Sequence, residues 1–172
     1  QLESETTTIR AADCETRLMA DGALLGQIAL QLEHNGAVSW HFRLPEESQL
    51  LSCEVRGRPA NPIIREGGQL ELEIPAGGER TSAIKLTYTS RQPKFDPLRG
   101  RLALALPVTP LFIYKLNWRI ALPDPYLVDA FEGNLAIPKG PVPPGVLQLE
   151  KQLIRGEQPQ AEIFYIKNNP EK

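Results

Sequence analysis

Apolar side chains recur at every second position along most of this chain, and that period limits what it can fold into. From Ile28 to Leu32 they alternate with Ala29 and Gln31, and Val38, Trp40, Phe42 and Leu44 alternate with Ser39, His41 and Arg43. The spacing returns at Leu51, Cys53 and Val55; at Leu70, Leu72 and Ile74; and at Ile84, Leu86 and Tyr88. It returns again at Leu102, Leu104 and Leu106, and at Phe112, Tyr114, Leu116, Trp118, Ile120 and Leu122. Successive side chains of a strand point to opposite faces, so each run predicts an extended segment with one buried face. Turn-forming groups part the runs: Gly57-Arg58-Pro59, Gly67-Gly68, Ala76-Gly77-Gly78 and the loop from Gln92 to Gly100. Pro45, Pro75, Pro107, Pro123 and Pro138 close apolar runs, where a missing amide ends pairing. Many short strands with no helical stretch between them predict an all-β fold, an antiparallel β-sandwich.

Between the first two runs lies His34-Asn35-Gly36. A two-residue turn would set inward Leu32 against outward Ser39. A three-residue loop instead pairs Leu32 with Val38, Leu30 with Trp40 and Ile28 with Phe42, and gives Gly36 the left-handed position, so a hairpin in that register is expected.

An internal echo accompanies the alternation. Gly26-Gln27-Ile28-Ala29-Leu30-Gln31-Leu32 matches Gly100-Arg101-Leu102-Ala103-Leu104-Ala105-Leu106 at every apolar position. A tryptophan strand ending in Leu-Pro follows each, Trp40 to Leu44-Pro45 and Trp118 to Leu122-Pro123. Another apolar strand, a glycine (Gly57 or Gly133) and a strand ending Ile74-Pro75 or Ile137-Pro138 come next. The pattern predicts a duplicated strand unit over residues about 26–75 and 100–138. The sandwich domain is placed at residues 1–138 and a polyproline-like connector at 139–145. The remainder, 146–172, reads as a hairpin turning near Arg155-Gly156 with Ile163 to Ile166 as its second strand, packed on this domain or on a neighbour's sheet. The alternative is a short helix carrying Leu149 and Leu153 before one strand.

At 172 residues, with 41% apolar and 23% charged residues, the chain has enough material for a real core and is not of the disordered class. Its 19 basic and 21 acidic residues are scattered singly, which argues against nucleic-acid binding. Lys115, Asn117 and Arg119 interrupt the longest apolar stretch, so no membrane insertion is expected. The opening at Gln1 without a methionine suggests a processed or trimmed piece of a longer chain.

The residues that ordinarily carry chemistry are few. His34 sits at a loop and His41 some seven residues up the expected hairpin, roughly 23 Å away, too far apart to share an ion. Ser48, Ser52 and Ser82 have no histidine at a recognisable spacing, and there is no G-x-S-x-G elbow. Among the carboxylates Asp13, Glu15, Asp21, Glu71, Glu73, Asp124 and Asp129 no pair stands out, since Glu71 and Glu73 share the outer face of one strand. Cys14 and Cys53 lack C-x-x-C spacing. Cys53 is either a small core hydrophobe or the partner of Cys14 in a disulfide, which would fit an exported protein. No glycine-rich phosphate loop is present, and no cofactor or metal is expected.

Trp40, Phe42, Tyr88, Tyr114 and Trp118 fall on the buried parity of their strands. Phe95, Tyr126 and Phe131 lie in or near loops and are the aromatic candidates for ligand contact. The expectation is a non-catalytic interaction or structural module of a larger exported or cell-envelope protein, with neighbouring domains or another protein as partner. A carbohydrate-binding module using the loops at 92–99 and 124–131 is the first alternative. A hydrolase with a site built from scattered carboxylates is the second.

Overall fold

The computed structural model describes residues 7–168. Thirteen strands account for nearly all of its regular structure: β1 Thr8–Leu18, β2 Ala23–Glu33, β3 Val38–Arg43, β4 Gln49–Val55, β5 Arg58–Pro59, β6 Ile63–Ile64, β7 Gln69–Ile74, β8 Thr81–Arg91, β9 Arg99–Ala105, β10 Phe112–Ala121, β11 Tyr126–Gly133, β12 Val146–Arg155 and β13 Gln160–Lys167. One layer is a seven-stranded sheet in the order β12-β10-β1-β2-β8-β4-β5. The other holds two three-stranded sheets, β11-β13-β9 and β3-β7-β6, stitched where Arg43 and Val108 exchange both backbone hydrogen bonds at 2.9 Å. The all-β, sandwich-like reading of the alternation is thus the observed fold. One ladder departs from the antiparallel expectation: β1 runs parallel to β10, with Thr8 opposite Phe112 and Cys14 opposite Trp118.

The alternation does in three dimensions what its period demands. Leu149, Trp118, Cys14, Ile28, Leu86 and Cys53 are neighbours in register across six adjacent strands of the large sheet. All six are buried. They form one inward row, each large apolar side chain contributing roughly 1.5–3 kcal/mol by leaving water. From the facing layer come Trp40, Phe42, Leu72, Leu104 and Ile163, all buried in the same contiguous core. The indole N–H of each tryptophan is satisfied by a threonine, Trp118 by Thr16 at 2.9 Å and Trp40 by Thr109 at 2.8 Å, as a buried donor requires.

The expected β2–β3 hairpin does not form. β2 already has a partner on each edge, β1 and β8, while β3 pairs with β7 in the other layer. Residues 34–37 therefore carry the chain from one sheet to the other, with Gly36 in the left-handed region at φ 67°. Leu30 and Trp40 face each other across the core instead of along a ladder, both lining one small gap between the layers. Alternation could not separate these arrangements, because both bury the same side chains. The C-terminal part shows the same correction. β12 and β13 are both strands, with no helix, yet β12 joins β10 and β13 lies between β11 and β9. They bridge the layers instead of forming a hairpin.

The two echoed segments do not take equivalent places: β2 is central in the large sheet, and β9 is the edge of a three-stranded one. They do share one device. Gly26 lies opposite Tyr88 and Gly100 opposite Tyr165 in the neighbouring antiparallel strand.

Near one corner the alternation slips in three adjacent strands at once. In β1 the buried residues Ile9 and Ala12 are separated by Arg10 and Ala11, and in β10 Ile113 and Leu116 are separated by exposed Tyr114 and Lys115. In β12 the slip falls between Leu149 and Ile154, where Leu153 adopts φ 59°. Tyr114, expected inside, is consequently 48% exposed. A bulge shifts every later side chain to the other face, and a register signal of this kind is silent in sequence.

Candidate functional site

The sequence gives no hint that His34 and Ser82 belong together, yet they meet. His34 follows the end of β2 and Ser82 is the second residue of β8. Ser82 Oγ lies 2.8 Å from His34 Nε2, and His34 Nδ1 lies 2.7 Å from the carbonyl of Gly36. A carbonyl can only accept, so Nδ1 carries the proton and Nε2 accepts from the serine hydroxyl. Hydroxyl, imidazole and an orienting acceptor form the sequence of contacts that activates a serine nucleophile. Here, however, His34 is 3% and Ser82 1% exposed, so both side chains are closed off from solvent. Buried in this way, the pair works as a tie: it fixes the crossing at residues 34–37, aided by the 2.8 Å hydrogen bond from the His34 amide to the Arg80 carbonyl. The missed signal is the register that sets Leu32 opposite Ser82.

His41 is elsewhere, as the reading of two separate imidazoles requires. It stands on the outer face of β3 with Nε2 3.6 Å from Glu71 Oε1, an oxygen that also takes Arg65 Nε at 2.6 Å. The hydrogen bond from Arg65 holds the Glu71 carboxyl below its usual range. Glu73 accepts from Ser39. Asp13 is bonded to Asn117 at 3.2 Å and Glu15 to Arg17 at 3.1 Å. Asp21 accepts the Ala23 amide at 3.0 Å, so five of the seven candidate carboxylates have a neighbour as partner, and no group of three or more His, Cys, Asp or Glu suited to a metal occurs among the described residues.

Both cysteines are buried and free. Cys14 on β1 and Cys53 on β4 stand in one row with Ile28 and Leu86 between them. Three strand spacings of about 4.8 Å put them far outside the reach of a disulfide, so that alternative gives way to the small-hydrophobe reading. Burial raises both thiols, Cys53 to about 11 with help from Glu54, and Cys14 further, with help from Asp13.

The proposed ligand-contacting aromatics are corrected as well. Phe95, Tyr126 and Tyr165 make a buried cluster with ring centroids 4.5–5.3 Å apart. Its two hydroxyls clamp one residue: Tyr126 donates to the Asp96 carbonyl at 2.9 Å and Tyr165 accepts the Asp96 amide at 2.8 Å. Phe131 is partly buried against the core. The buried rings of Phe95 and Tyr126 offer no free face of the kind a sugar stacks on. Two clefts stand open: a mainly apolar one of about 660 Å³ beside β4 and β6, which includes Leu50, Cys53 and Ile64, and one of mixed polarity of about 590 Å³ on the large sheet, which includes Asp13, Lys85 and Arg119. The Ser48 hydroxyl, beside the first, is buried without a partner.

No protein-family model matches the sequence, and no curated protein is similar to it. Solved structures are similar. Native leukotriene A4 hydrolase from Saccharomyces cerevisiae superposes with a TM-score of 0.59 at 11% identity, over 93% of this chain and 29% of the enzyme. The M1 zinc metallopeptidase from Deinococcus radiodurans gives 0.56 at 10% identity, over 92% of this chain and 42% of that one. The likeness is one of fold alone. The chain spans less than half the length of either, and its 172 residues contain no H-E-x-x-H pair of the zinc-peptidase kind, His34 and His41 being its two histidines.

Proposed function

We propose that this chain is a non-catalytic β-sandwich module of a larger exported or cell-envelope protein, acting as a rigid docking or spacing element. The observation that carries the reading is the match of almost the whole chain to under half of two much longer hydrolases. A fold of this kind is one part of those chains. The buried state of His34 and Ser82, and the pairing of Asp13, Glu15, Glu71 and Glu73 with neighbours, support a role other than turnover. The test is a panel of peptide, ester and glycoside substrates offered to the purified chain, with and without added zinc. No turnover is expected, and turnover abolished by a single Ser82→Ala or Asp13→Asn change would overturn the reading. Fractionation of cells carrying the tagged full-length parent tests the location.

The same structural likeness favours a second reading, in which the parent is itself a zinc peptidase and this chain its β portion. In that case the zinc ligands come from residues outside these 172, and the parent's sequence would display an H-E-x-x-H pair. Finding no such pair in the parent disposes of it.

A further inference from the structure

The corner where the alternation slips presents apolar surface that the fold does not use. Leu153 is 62% exposed and held at φ 59°, a conformation that is a genuine outlier for a bulky side chain and one that marks functional sites more often than chance. Tyr114, 48% exposed, and Leu153 both fall in the break of the β10–β12 register between the pairs Ile113–Ile154 and Lys115–Gln152. Phe112, two residues earlier on the same outer face, packs edge-on against Tyr114 with centroids 4.8 Å apart. Arg155 lies over the Phe112 ring at 4.7 Å, which fixes the guanidinium in place and leaves its edge toward solvent.

Charge surrounds this patch asymmetrically. Arg10 on β1, Lys115 on β10 and Arg155 on β12 border it, in a chain of net charge −2. Of the nearby carboxylates, Glu33 is paired with Arg10 at 3.7 Å, while Glu157 accepts the backbone amide of Arg155 and faces Lys151 at 3.5 Å. Lys115 has no carboxylate within ion-pair distance among the described residues. Tyrosine and arginine around an exposed leucine are the side chains that dominate binding energy at protein interfaces.

We propose that Phe112, Tyr114 and Leu153, ringed by Arg10, Lys115 and Arg155, dock an acidic peptide segment of a partner protein that inserts an apolar side chain beside Leu153. The charge balance selects the acidic segment, and the apolar floor selects a peptide over a bare anion. The inference rests on the reading of the chain as a docking module and names the surface it would use.

The experiment is fluorescence anisotropy of a fluorescein-labelled acidic peptide with a central Leu-Phe pair, titrated with the intact chain at low and raised salt. Saturable binding that weakens with salt is expected, reduced about tenfold or more in Tyr114→Ala and in Arg155→Glu. Leu153→Gly separates folding from docking: glycine accepts positive φ, so the unfolding midpoint rises while affinity falls. Absence of saturable binding, equal affinity in all three variants, or tighter binding of an oligo-dT strand in place of the peptide would overturn the proposal. Turnover by the purified chain would strike at the module reading instead, so the two failures are distinguishable.

Discussion

Tyr88 lies with its ring against the backbone of Gly26, so close that a Cβ at position 26 would sit 2.3 Å from the ring's Cζ. Tyr165 covers Gly100 in the same way, its hydroxyl oxygen 2.4 Å from where a Cβ would be. In each case an aromatic ring on one strand fills the space left by a glycine on the next, which restores apolar cover to a weak position in the sheet. Tyr88 is 1% exposed and has nowhere to retreat. Gly26→Ala is therefore expected to cost about 1–3 kcal/mol through overpacking, read as a lower urea midpoint at unchanged slope. Gly78→Ala, where a Cβ meets nothing, serves as the control and should stay within about 0.5 kcal/mol.

Ser82→Ala removes the donor to His34 Nε2 and leaves a buried acceptor unpaired, a loss of about 1–3 kcal/mol. His34→Ala should cost at least as much. The two together should cost less than their sum, because the second change removes the group that the first has orphaned. A double-mutant cycle in chemical denaturation measures this coupling, and additive losses would mean that the 2.8 Å contact does not hold the crossing.

The thiols make stability depend on alkaline pH. Cys53 titrates at about 11 in the fold, above its ordinary 9.0, because burial disfavours the thiolate. The folded state thus binds this proton more tightly than the unfolded chain does. The resulting stability is complete below about pH 9 and is lost as pH rises through about 11. Cys53→Ala should flatten that part of the pH profile, at the cost of some stability at neutral pH. Both thiols should resist a disulfide-exchange reagent at pH 8 until the protein is unfolded.

Tyr126→Phe removes the hydroxyl that holds the Asp96 carbonyl while keeping the ring in its cluster. Amide hydrogen exchange should quicken across residues 92–98, with a stability loss of about 1 kcal/mol. A glycan array should respond identically to the wild type and this variant. A glycan signal lost in Tyr126→Phe would revive the carbohydrate-binding alternative.

What the sequence disclosed was face, and what it concealed was partner. Trp40, Phe42, Tyr88 and Trp118 were assigned to the interior from parity alone, and all four are buried. Tyr114 was assigned by the same rule and is exposed, because Tyr114 and Lys115 both turn outward between buried Ile113 and Leu116, a break in alternation that the sequence does not mark. The β2–β3 connection was misread because inward residues of consecutive strands look the same whether the strands pair or face each other. The meeting of His34 with Ser82 and the distance between Cys14 and Cys53 are consequences of strand order. So is the clamp on Asp96, which brings together loop residues assigned to solvent. Strand order arises from non-local packing that no single segment encodes.

β1 lies in the middle of the large sheet, between β2 and the distant β10. A chain emerging from the ribosome would have to keep β1 waiting, one edge unzipped, until the strand at Phe112–Ala121 had been made. Assembly dominated by so remote a contact is slow. During that interval the unpaired edge is the point at which a second nascent copy could intrude.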